Sequence, residues 1–284
     1  MPELPEVETV CRGLQMQLPG EVIARVDVLR NDTIGYPQPD EFSGALAGHR
    51  FVAFKRRGKY ILGDLDKGAG LVVHLRMSGK LLIKKAGARA GNFLRARFKL
   101  KSGRELHYED MRVFGRLWYK PAGMTFEEVV PGLASLGVEP LEGLEIDLLK
   151  DLLANKKQPI KSALLDQRLI AGIGNIYADE SLFRSGIHPQ RPAGSLRDDE
   201  LKRLLLEIPL VLQKAIKHGG STLSDYVDTN GVNGRYQNKA LVYGREGEPC
   251  RVCKSLVERV KLAGRSSHFC PQCQPLKKRG ARTR

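Results

Sequence analysis

Four of the five cysteines occur as two pairs with metal-ligand spacing. Cys250 and Cys253 form the first pair, Cys270 and Cys273 form the second, and sixteen residues separate the two pairs. Two Cys-x2-Cys pairs at this distance are typical of a tetrahedral zinc site with four thiolates. Disulfides are the alternative, but no export signal accompanies the cysteines, and a reducing cytosol disfavours them. The spacing therefore predicts one structural Zn2+.

The residues between the cysteine pairs indicate a β-hairpin. Residues 257–262 mix apolar and charged side chains as a strand does, and Gly264 suits the turn. Residues 268–269 then belong to the second, returning strand. Arg265 lies at the tip of this hairpin. Such a ribbon either staples a small fold or presents one side chain from its tip, and the spacing leaves both roles open.

The N-terminus carries a second group with reactive potential. Met1 is normally trimmed before a small residue such as Pro2, and three acidic residues follow: Glu3, Glu6 and Glu8. A terminal amine titrates near about 8 and a lysine near about 10.4, so the terminal amine is the better nucleophile at neutral pH. An amine that attacks a carbonyl carbon yields a Schiff base. The alternative is an unreactive helix start, where acidic side chains favour the positive end.

The basic charge is concentrated in three segments. The chain has 47 Lys and Arg against 32 Asp and Glu, a net charge of +15. Residues 50–59, 76–116 and 250–284 carry +5, +9 and +9, so the remainder is acidic. Clustered positive charge favours a polyanionic partner, most simply nucleic acid, over a merely solvated surface. No apolar run approaches the ~18 residues of a membrane span, and the first residues lack a secretory h-region, so we expect a cytoplasmic protein without a membrane partner.

The elements that must position these groups fall into two parts. Apolar residues at helical spacing predict a helix over 5–18, and short β-rich runs over 22–120 predict an antiparallel sandwich or barrel. Residues 219–240 are rich in Gly, Ser, Asn and Asp, which predicts a long mobile loop of the kind that often serves as a functional lid. Helical periodicity in the second half predicts helices over 145–154, 160–168, 175–185 and 197–218.

Several motifs along the chain carry a family resemblance. They are MPELPEVETV at the start, RRGKYIL at 56–62, HLRMSGKL at 74–81, DxRxFG at 110–115, LLDQRLIAGIGNIYADESLF at 164–183, GGSTLSD at 219–225, VYGREGEPCRVC at 242–253 and GRSSHFCPQCQ at 264–274. In this order they strongly resemble the bacterial formamidopyrimidine-DNA glycosylases. The resemblance implies a bifunctional glycosylase and apurinic/apyrimidinic lyase of base excision repair that removes 8-oxoguanine and ring-opened purines.

The resemblance also implies an α+β fold with three structural parts and a tail. These are a catalytic domain of an N-terminal helix and an antiparallel β-sandwich (1–132), a helical DNA-binding domain with a helix–two-turns–helix motif (133–248), a four-cysteine zinc finger (249–274) and a disordered basic tail (275–284). Residues 219–240, hereafter the lesion loop, would fold over the flipped base. The implied partner is double-stranded DNA with a damaged base, bound by a cytoplasmic, nucleoid-associated monomer.

The resemblance assigns chemical roles to four residues. Pro2 would attack the deoxyribose C1′ and form an imine after expelling the base. Glu3 would supply the proton that opens the sugar ring. Lys59 would act as the acid in β-elimination and touch a phosphate. Arg265 would assist δ-elimination and clamp the backbone at the lesion.

Further residues would bind the duplex. His74 and Asn175 would contact flanking phosphates, and Lys161 and Lys157 would add positive charge nearby. A flipped base leaves a hole in the duplex. Three side chains resemble the wedge that fills it: Met77, Arg112 and Phe114.

Two departures from the family pattern bear on this carry-over. A Lys-His-x-His cluster is common before the strand LRARFKL, but this chain has no histidine there, and Arg95 or Asn92 would have to substitute. The wedge motif also has Met111 and Val113 where Pro and a second Arg are common. The alternatives are an endonuclease VIII-type enzyme for oxidised pyrimidines and a non-catalytic DNA-binding zinc protein. The first tends to begin PEGPE, and intact Pro2, Glu3 and Lys59 argue against the second.

Overall fold

A computed structural model describes residues 1–276 of the chain, which form two compact units. The first comprises Met1–Ser135 and Ala215–Tyr236, and the second comprises Leu136–Lys214 and the described residues from Gln237 onward. Of the predicted basic tail 275–284, residues 277–284 lie outside the described residues. Within residues 1–276, no helix is long and apolar enough to cross a membrane.

The first unit begins with helix α1, Leu4–Gln17, which confirms the helix predicted over 5–18. Val7, Val10 and Leu14 lie on its buried face, at the spacing that one side of a helix requires. Glu3 is the N-cap, and Glu3 and Glu6 form a reciprocal capping box that satisfies free N–H groups of the first turn. The sequence pattern and the cap thus place the helix start directly after Pro2.

Two β-sheets pack with α1 around one core in this unit. The first has the order β1-β7-β8-β6 and the second the order β2-β9-β5-β4-β3. The strands are β1 Ile23–Val28, β2 Ile34–Tyr36, β3 Phe51–Arg57, β4 Tyr60–Leu65, β5 Gly70–His74, β6 Gly79–Lys84, β7 Leu94–Leu100, β8 Glu105–Asp110 and β9 Arg116–Lys120. This arrangement confirms the predicted sandwich.

Two details differ from the purely antiparallel sandwich. Strand β2 pairs with β9 in parallel, because the two strands are distant in sequence and no hairpin dictates their direction. Helix α2, Pro39–Leu46, interrupts the predicted run of strands and buries Phe42 and Leu46 one turn apart. Because only two of its eight residues are buried apolar side chains, the helical pattern is too short to be recognised in the sequence. Two one-turn helices follow the sandwich: α3 Phe126–Val129 and α4 Pro131–Ala134.

The lesion loop up to residue 236 belongs to the first unit, although we predicted it within the domain 133–248 and as mobile. Tyr226 is part of the sandwich core and only 6% exposed. Ser221 N–H donates to the Glu6 carboxylate at 2.7 Å, and Ile83 N–H donates to Thr229 O at 2.9 Å. These contacts attach the loop to α1 and β6, because the backbone groups of Ser221 and Thr229 find hydrogen-bond partners there.

The second unit is helical and ends in a β-hairpin. Its elements are α5 Ile146–Leu153, α6 Ile160–Leu165, α7 Asn175–Arg184, α8 Asp198–Lys217 (whose last three residues belong to the first unit), β10 Glu258–Leu262 and β11 Arg265–Phe269. The predicted helices are confirmed, except that α6 ends at Leu165 rather than at 168. It ends early because Asp166 takes an extended conformation.

A buried carboxylate ties α7 to the segment that leads into the hairpin. Glu180 is fully buried, and its two oxygens accept the backbone N–H groups of residues 241–243 at 2.8–3.0 Å. Burial raises the pKa of Glu180, whereas the three N–H donors favour the charged form. Without this carboxylate the three donors would be left without their partner in the interior.

We predict that Glu180→Gln lowers the stability of the protein. A neutral amide has only one acceptor oxygen and turns an NH2 group toward backbone donors, which we expect to cost about 1–3 kcal/mol. Thermal unfolding followed by circular dichroism measures the change. The control is Glu142→Gln at an exposed position of the same unit. Equal melting temperatures for the two variants would contradict the prediction.

Candidate active site and nucleic-acid interface

The candidate catalytic group lies at the buried start of α1. Pro2 and Glu3 are both buried, with Glu3 only 3% exposed, whereas Met1 is 53% exposed. Removal of Met1 would turn the Pro2 nitrogen into a secondary amine directly beside the Glu3 carboxyl group. A nucleophile and a proton donor in adjacent positions can form and resolve a Schiff base.

Glu6 holds this start in place, whereas the sequence alone indicated only an interaction with the positive end of the helix. One oxygen of its carboxylate accepts Glu3 N–H at 2.8 Å, and the other accepts Ser221 N–H at 2.7 Å. Gly220 takes a left-handed φ of 77°, and a Cβ there would lie 2.7 Å from the Glu6 Oε1 atom. The signal that could have identified Glu6 is the acidic residue three positions after the N-cap.

Lys59 occupies a tight turn between β3 and β4. Arg57 and Tyr60 are paired across the hairpin, so Gly58 and Lys59 form a two-residue turn, and Gly58 supplies the left-handed φ of 55° that such a turn needs. The Lys59 side chain is only 7% exposed. The RRGKY motif therefore delivers one largely buried ammonium group at a fixed position on the edge of the sheet.

His74 lies at the end of β5 next to this turn. The centre of its ring lies 4.5 Å from the centre of the Tyr60 ring in an edge-to-face arrangement. Its Nδ1 accepts Arg76 N–H at 3.0 Å. Burial, followed by the charges of Arg76 and Lys59, lowers its pKa to about 3. The imidazole is therefore neutral at physiological pH. With Nδ1 as the acceptor, Nε2 carries the proton and can donate to a phosphate oxygen.

The three predicted wedge residues lie on two neighbouring loops of the first unit. Met77 and Phe114 are 39% and 54% exposed, high values for large apolar side chains. The Arg112 guanidinium lies 3.7 Å from the Met77 sulfur. The structure thus places a cation beside an exposed apolar side chain, with the exposed Phe114 two residues from Arg112 on the same loop, a chemistry suited to filling a gap in a base stack.

Asp110 shapes the loop that carries Arg112 and Phe114. Its side chain is 1% exposed and accepts hydrogen bonds from Ser78 Oγ at 2.5 Å, Arg112 N–H at 3.2 Å and Gly115 N–H at 2.8 Å. Val113 between them has a φ of 55°, a conformation that is strained for a β-branched residue. Asp110 is thus the buried acceptor that holds the loop in this shape.

The two residues suggested as substitutes for the missing histidine lie in different settings. Arg95 donates to Asp110 O at 2.8 Å and its guanidinium lies 5.8 Å from the centre of the Phe93 ring. Asn92 is exposed. Phe93 is itself 43% exposed, and no sequence motif identified this aromatic side chain. A substitute DNA contact by Arg95 or Asn92 stays a prediction.

In the second unit, Asn175 is the first residue of α7. Gly174 is the N-cap, and within residues 1–276 the Asn175 Oδ1 atom is buried without a hydrogen-bond partner. The N–H groups of a first helical turn lack intrahelical acceptors and attract anions. This helix start is therefore suited to a phosphate group.

Lys161, which the resemblance places among the charges near the flanking phosphates, is buried. It is 1% exposed, with its ammonium 2.7 Å from the Asp179 carboxylate and 2.6 Å from Ser266 O. Asp179 also accepts His268 N–H at 2.9 Å. Lys161 is therefore buried in an ion pair that holds β11, because an unpaired ammonium cannot remain in the interior. Lys157 is exposed, as a phosphate contact requires.

The hairpin presents Arg265 at its tip, as predicted. Leu262 pairs with Arg265 across a two-residue turn in which Ala263 and Gly264 have φ values of 46° and 79°. Arg265 is exposed. An open cavity of about 290 Å³ lies between the tip and α6, and both Lys161 and Arg265 are among its lining residues.

The four paired cysteines converge at the base of the hairpin. All four sulfur atoms lie within 4.8 Å of one another. Val252 N–H points to the Cys250 sulfur at 3.4 Å and Cys273 N–H to the Cys270 sulfur at 3.5 Å. Four thiolates at these separations, with backbone N–H groups supporting them, match a tetrahedral structural zinc. Cys11 is buried in the first unit, and burial raises its pKa to about 12, which suits an inert thiol.

We predict that Cys250→Ser loses the metal, whereas Cys11→Ser keeps it. Metal binding to such a ribbon is coupled to its folding, so the first variant should also unfold at lower temperature. Elemental analysis should find about one zinc per chain in the wild type and in Cys11→Ser. A full zinc complement in Cys250→Ser would contradict the four-thiolate site.

We predict that neutral His74 makes the first unit sensitive to acid. Because the folded pKa is lowered to about 3, below the usual value of 6.5, the unfolded chain takes up a proton between these values and the folded chain does not. Stability is therefore lost as the pH falls through 6.5. Between pH 7 and 5 the wild type should lose about 1–2 kcal/mol more than His74→Gln.

Urea unfolding followed by the fluorescence of Trp118 measures this difference, because Trp118 is the single tryptophan of the chain and belongs to the first unit. Parallel loss of stability in the wild type and in His74→Gln would show that His74 is not the group responsible.

Three family models match consecutive parts of the chain. Residues 1–117 match the formamidopyrimidine-DNA glycosylase N-terminal domain, and residues 136–227 match the formamidopyrimidine-DNA glycosylase H2TH domain. Residues 247–276 match the zinc finger found in FPG and IleRS. The predicted α+β fold, the helix–two-turns–helix motif and the single structural zinc are thereby confirmed.

Curated relatives and solved structures match over nearly the full length. The formamidopyrimidine-DNA glycosylases of Gloeobacter violaceus and Synechococcus elongatus are 52% and 47% identical, covering 96% and 97% of this chain and 98% of each relative. Lactococcus lactis Fpg in complex with abasic-site DNA has a TM-score of 0.87 at 34% identity, over 97% of this chain and 100% of that one. The same enzyme with Fapy-dG DNA also has a TM-score of 0.87, over 96% of this chain and 100% of that one.

The matches with these relatives cover 96% or more of this chain and therefore extend over both units. The chain belongs to the formamidopyrimidine-DNA glycosylase family of base-excision-repair DNA glycosylases with apurinic/apyrimidinic lyase activity.

Proposed function

We propose that Pro2 is the nucleophile of this glycosylase and that its substrates are 8-oxoguanine and formamidopyrimidines in double-stranded DNA. The observation that carries this proposal is the buried Pro2–Glu3 pair at the start of α1, with the Glu3 N–H fixed by Glu6 at 2.8 Å. An amine held rigidly beside a carboxyl group is arranged for imine chemistry.

In the proposed reaction, the Pro2 nitrogen attacks the sugar C1′ atom as the bond from C1′ to the damaged base breaks. Glu3 donates a proton to the ring oxygen, the ring opens, and an iminium forms between Pro2 and C1′. The iminium acidifies the C2′ proton, whose loss expels the 3′ phosphate in β-elimination with Lys59 as the acid. A second elimination, assisted by Arg265, expels the 5′ phosphate, and water then releases the enzyme.

The proposed DNA contacts divide into phosphate binding and duplex filling. His74 donates from its neutral imidazole, and Asn175 and Lys157 contact phosphates from the second unit. Met77, Arg112 and Phe114 fill the space that the flipped base leaves, with the guanidinium available to the orphaned base. Lys161, being paired with Asp179, acts by positioning the hairpin that carries Arg265 rather than by touching DNA.

The protein acts as a cytoplasmic, nucleoid-associated monomer without a membrane partner in this proposal. The net charge of +15 and its concentration in three segments support binding to a polyanion. One solved relative, Lactococcus lactis FPG, is bound to DNA with an oxidised pyrimidine. A panel of lesions should therefore include oxidised pyrimidines beside the purines.

Borohydride trapping tests the nucleophile and the substrate together. Reduction of the iminium during reaction with an 8-oxoguanine duplex should leave a covalent protein–DNA adduct. Adding one uncleaved residue before Pro2 should abolish trapping, because an amide nitrogen is not nucleophilic. Adding the same residue after Arg284 is the matched control and should leave trapping intact. An adduct that forms equally well with the N-terminal extension would move the nucleophile away from Pro2.

A further inference from the structure

Gly13 lies in the interior of α1 and is buried. Glycine in a helix interior is less favourable than alanine, so its presence there needs a packing reason. A Cβ built on Gly13 would overlap Thr229 Oγ1 and would lie 3.0 Å from Thr229 Cγ2 and 3.2 Å from its Cβ. The missing side chain is therefore the space into which Thr229 of the lesion loop fits.

Thr229 is held at this point from more than one direction. It is 1% exposed, and its carbonyl accepts Ile83 N–H of β6 at 2.9 Å. Its hydroxyl lies 3.4 Å from the Gln17 amide on α1. The preceding Asp228 closes a turn by accepting Val232 N–H at 2.9 Å. Thr229 is thus a docking point between helix and sheet.

The other end of the same segment is held by α1 as well. Ser221 N–H donates to Glu6, and Tyr226 is buried with its hydroxyl 3.4 Å from Glu6 O. Thr222 Oγ1 donates to Tyr226 O at 2.8 Å. Between the two attachments, Leu223 is 57% exposed. The loop therefore presents a short exposed tip whose two ends are both fixed on the helix that starts at Pro2.

We propose that Gly13 and Thr229 form a positioning pair that sets the lesion loop for base excision and is dispensable for cleavage at abasic sites. This inference rests on the proposed function, in which the loop covers the flipped base. An abasic site has no base to cover, so the sugar chemistry at Pro2 proceeds without the loop in its docked position. Base excision needs the cover and slows when Thr229 cannot dock.

The test compares two glycine-to-alanine variants in helices of the first unit. Gly13→Ala blocks the docking point, whereas Gly44→Ala in α2 is the matched control, because a Cβ there meets nothing within 4 Å. Single-turnover rates are measured on an 8-oxoguanine duplex and on an abasic-site duplex. For Gly13→Ala we expect excision of 8-oxoguanine to slow by about tenfold or more, as misplaced positioning groups do, with abasic-site cleavage unchanged. Gly44→Ala should match the wild type on both.

Hydrogen exchange gives a readout that needs no substrate. Docking of Thr229 protects the Ile83 amide through its 2.9 Å hydrogen bond. That amide should exchange faster in Gly13→Ala than in Gly44→Ala. The double variant Gly13→Ala with Thr229→Ala removes the overlapping atoms and should recover both the protection of Ile83 and part of the excision rate.

Other results overturn the inference. If Gly13→Ala slows both substrates equally, or neither, or leaves Ile83 protected, then the pair does not position the loop for excision. If Gly13→Ala does not fold, the double variant decides. Its excision rate is compared with that of Thr229→Gly, in which the loop lacks the Thr229 side-chain contacts. A double variant that is no faster than Thr229→Gly would reject the pair. Failure of the proposed function has a different signature, namely a wild type that turns over neither duplex.

Discussion

The carboxylate of Glu6 is the interaction on which the candidate catalytic unit depends. It is 1% exposed and bridges Glu3 N–H and Ser221 N–H with its two oxygens. A buried carboxylate is costly unless its lone pairs are satisfied, and here the donors come from two segments more than 200 residues apart in sequence. The start of α1 and the base of the lesion loop are thus held by one group, which would align the nucleophile and the loop together.

In the second unit, buried carboxylates at two adjacent positions of α7 likewise hold segments that are distant in sequence. Asp179 pairs with Lys161 and accepts His268 N–H of β11, while Glu180 accepts the N–H groups of residues 241–243. The hairpin is therefore fixed to the helix that begins at Asn175 by side chains that are buried in the protein interior. Such buried polar networks are strong only when every group has its hydrogen-bond partner. The orientation of Arg265 therefore depends on residues far from the hairpin tip.

The wedge shows how a departure from the family pattern can be accommodated. Met111 and Val113 replace residues common in the family, yet Asp110 still accepts N–H groups from both ends of the loop. Because the loop shape is set by backbone hydrogen bonds to one buried carboxylate, the side chains between can vary. Arg112 lies beside Met77, and both Arg112 and Phe114 are exposed.

The sequence by itself determined the zinc ligands, the helix behind Pro2, the helices of the second unit and the place of Arg265, because each depends on spacing within a short segment. Only the tertiary structure decided that the lesion loop docks on α1, that Lys161 is buried in an ion pair and that His74 is neutral. These properties depend on which distant atoms surround a group. Burial and long-range pairing leave no local period in the sequence, so a lysine in an ion pair and a lysine on a phosphate read the same until the fold places their partners.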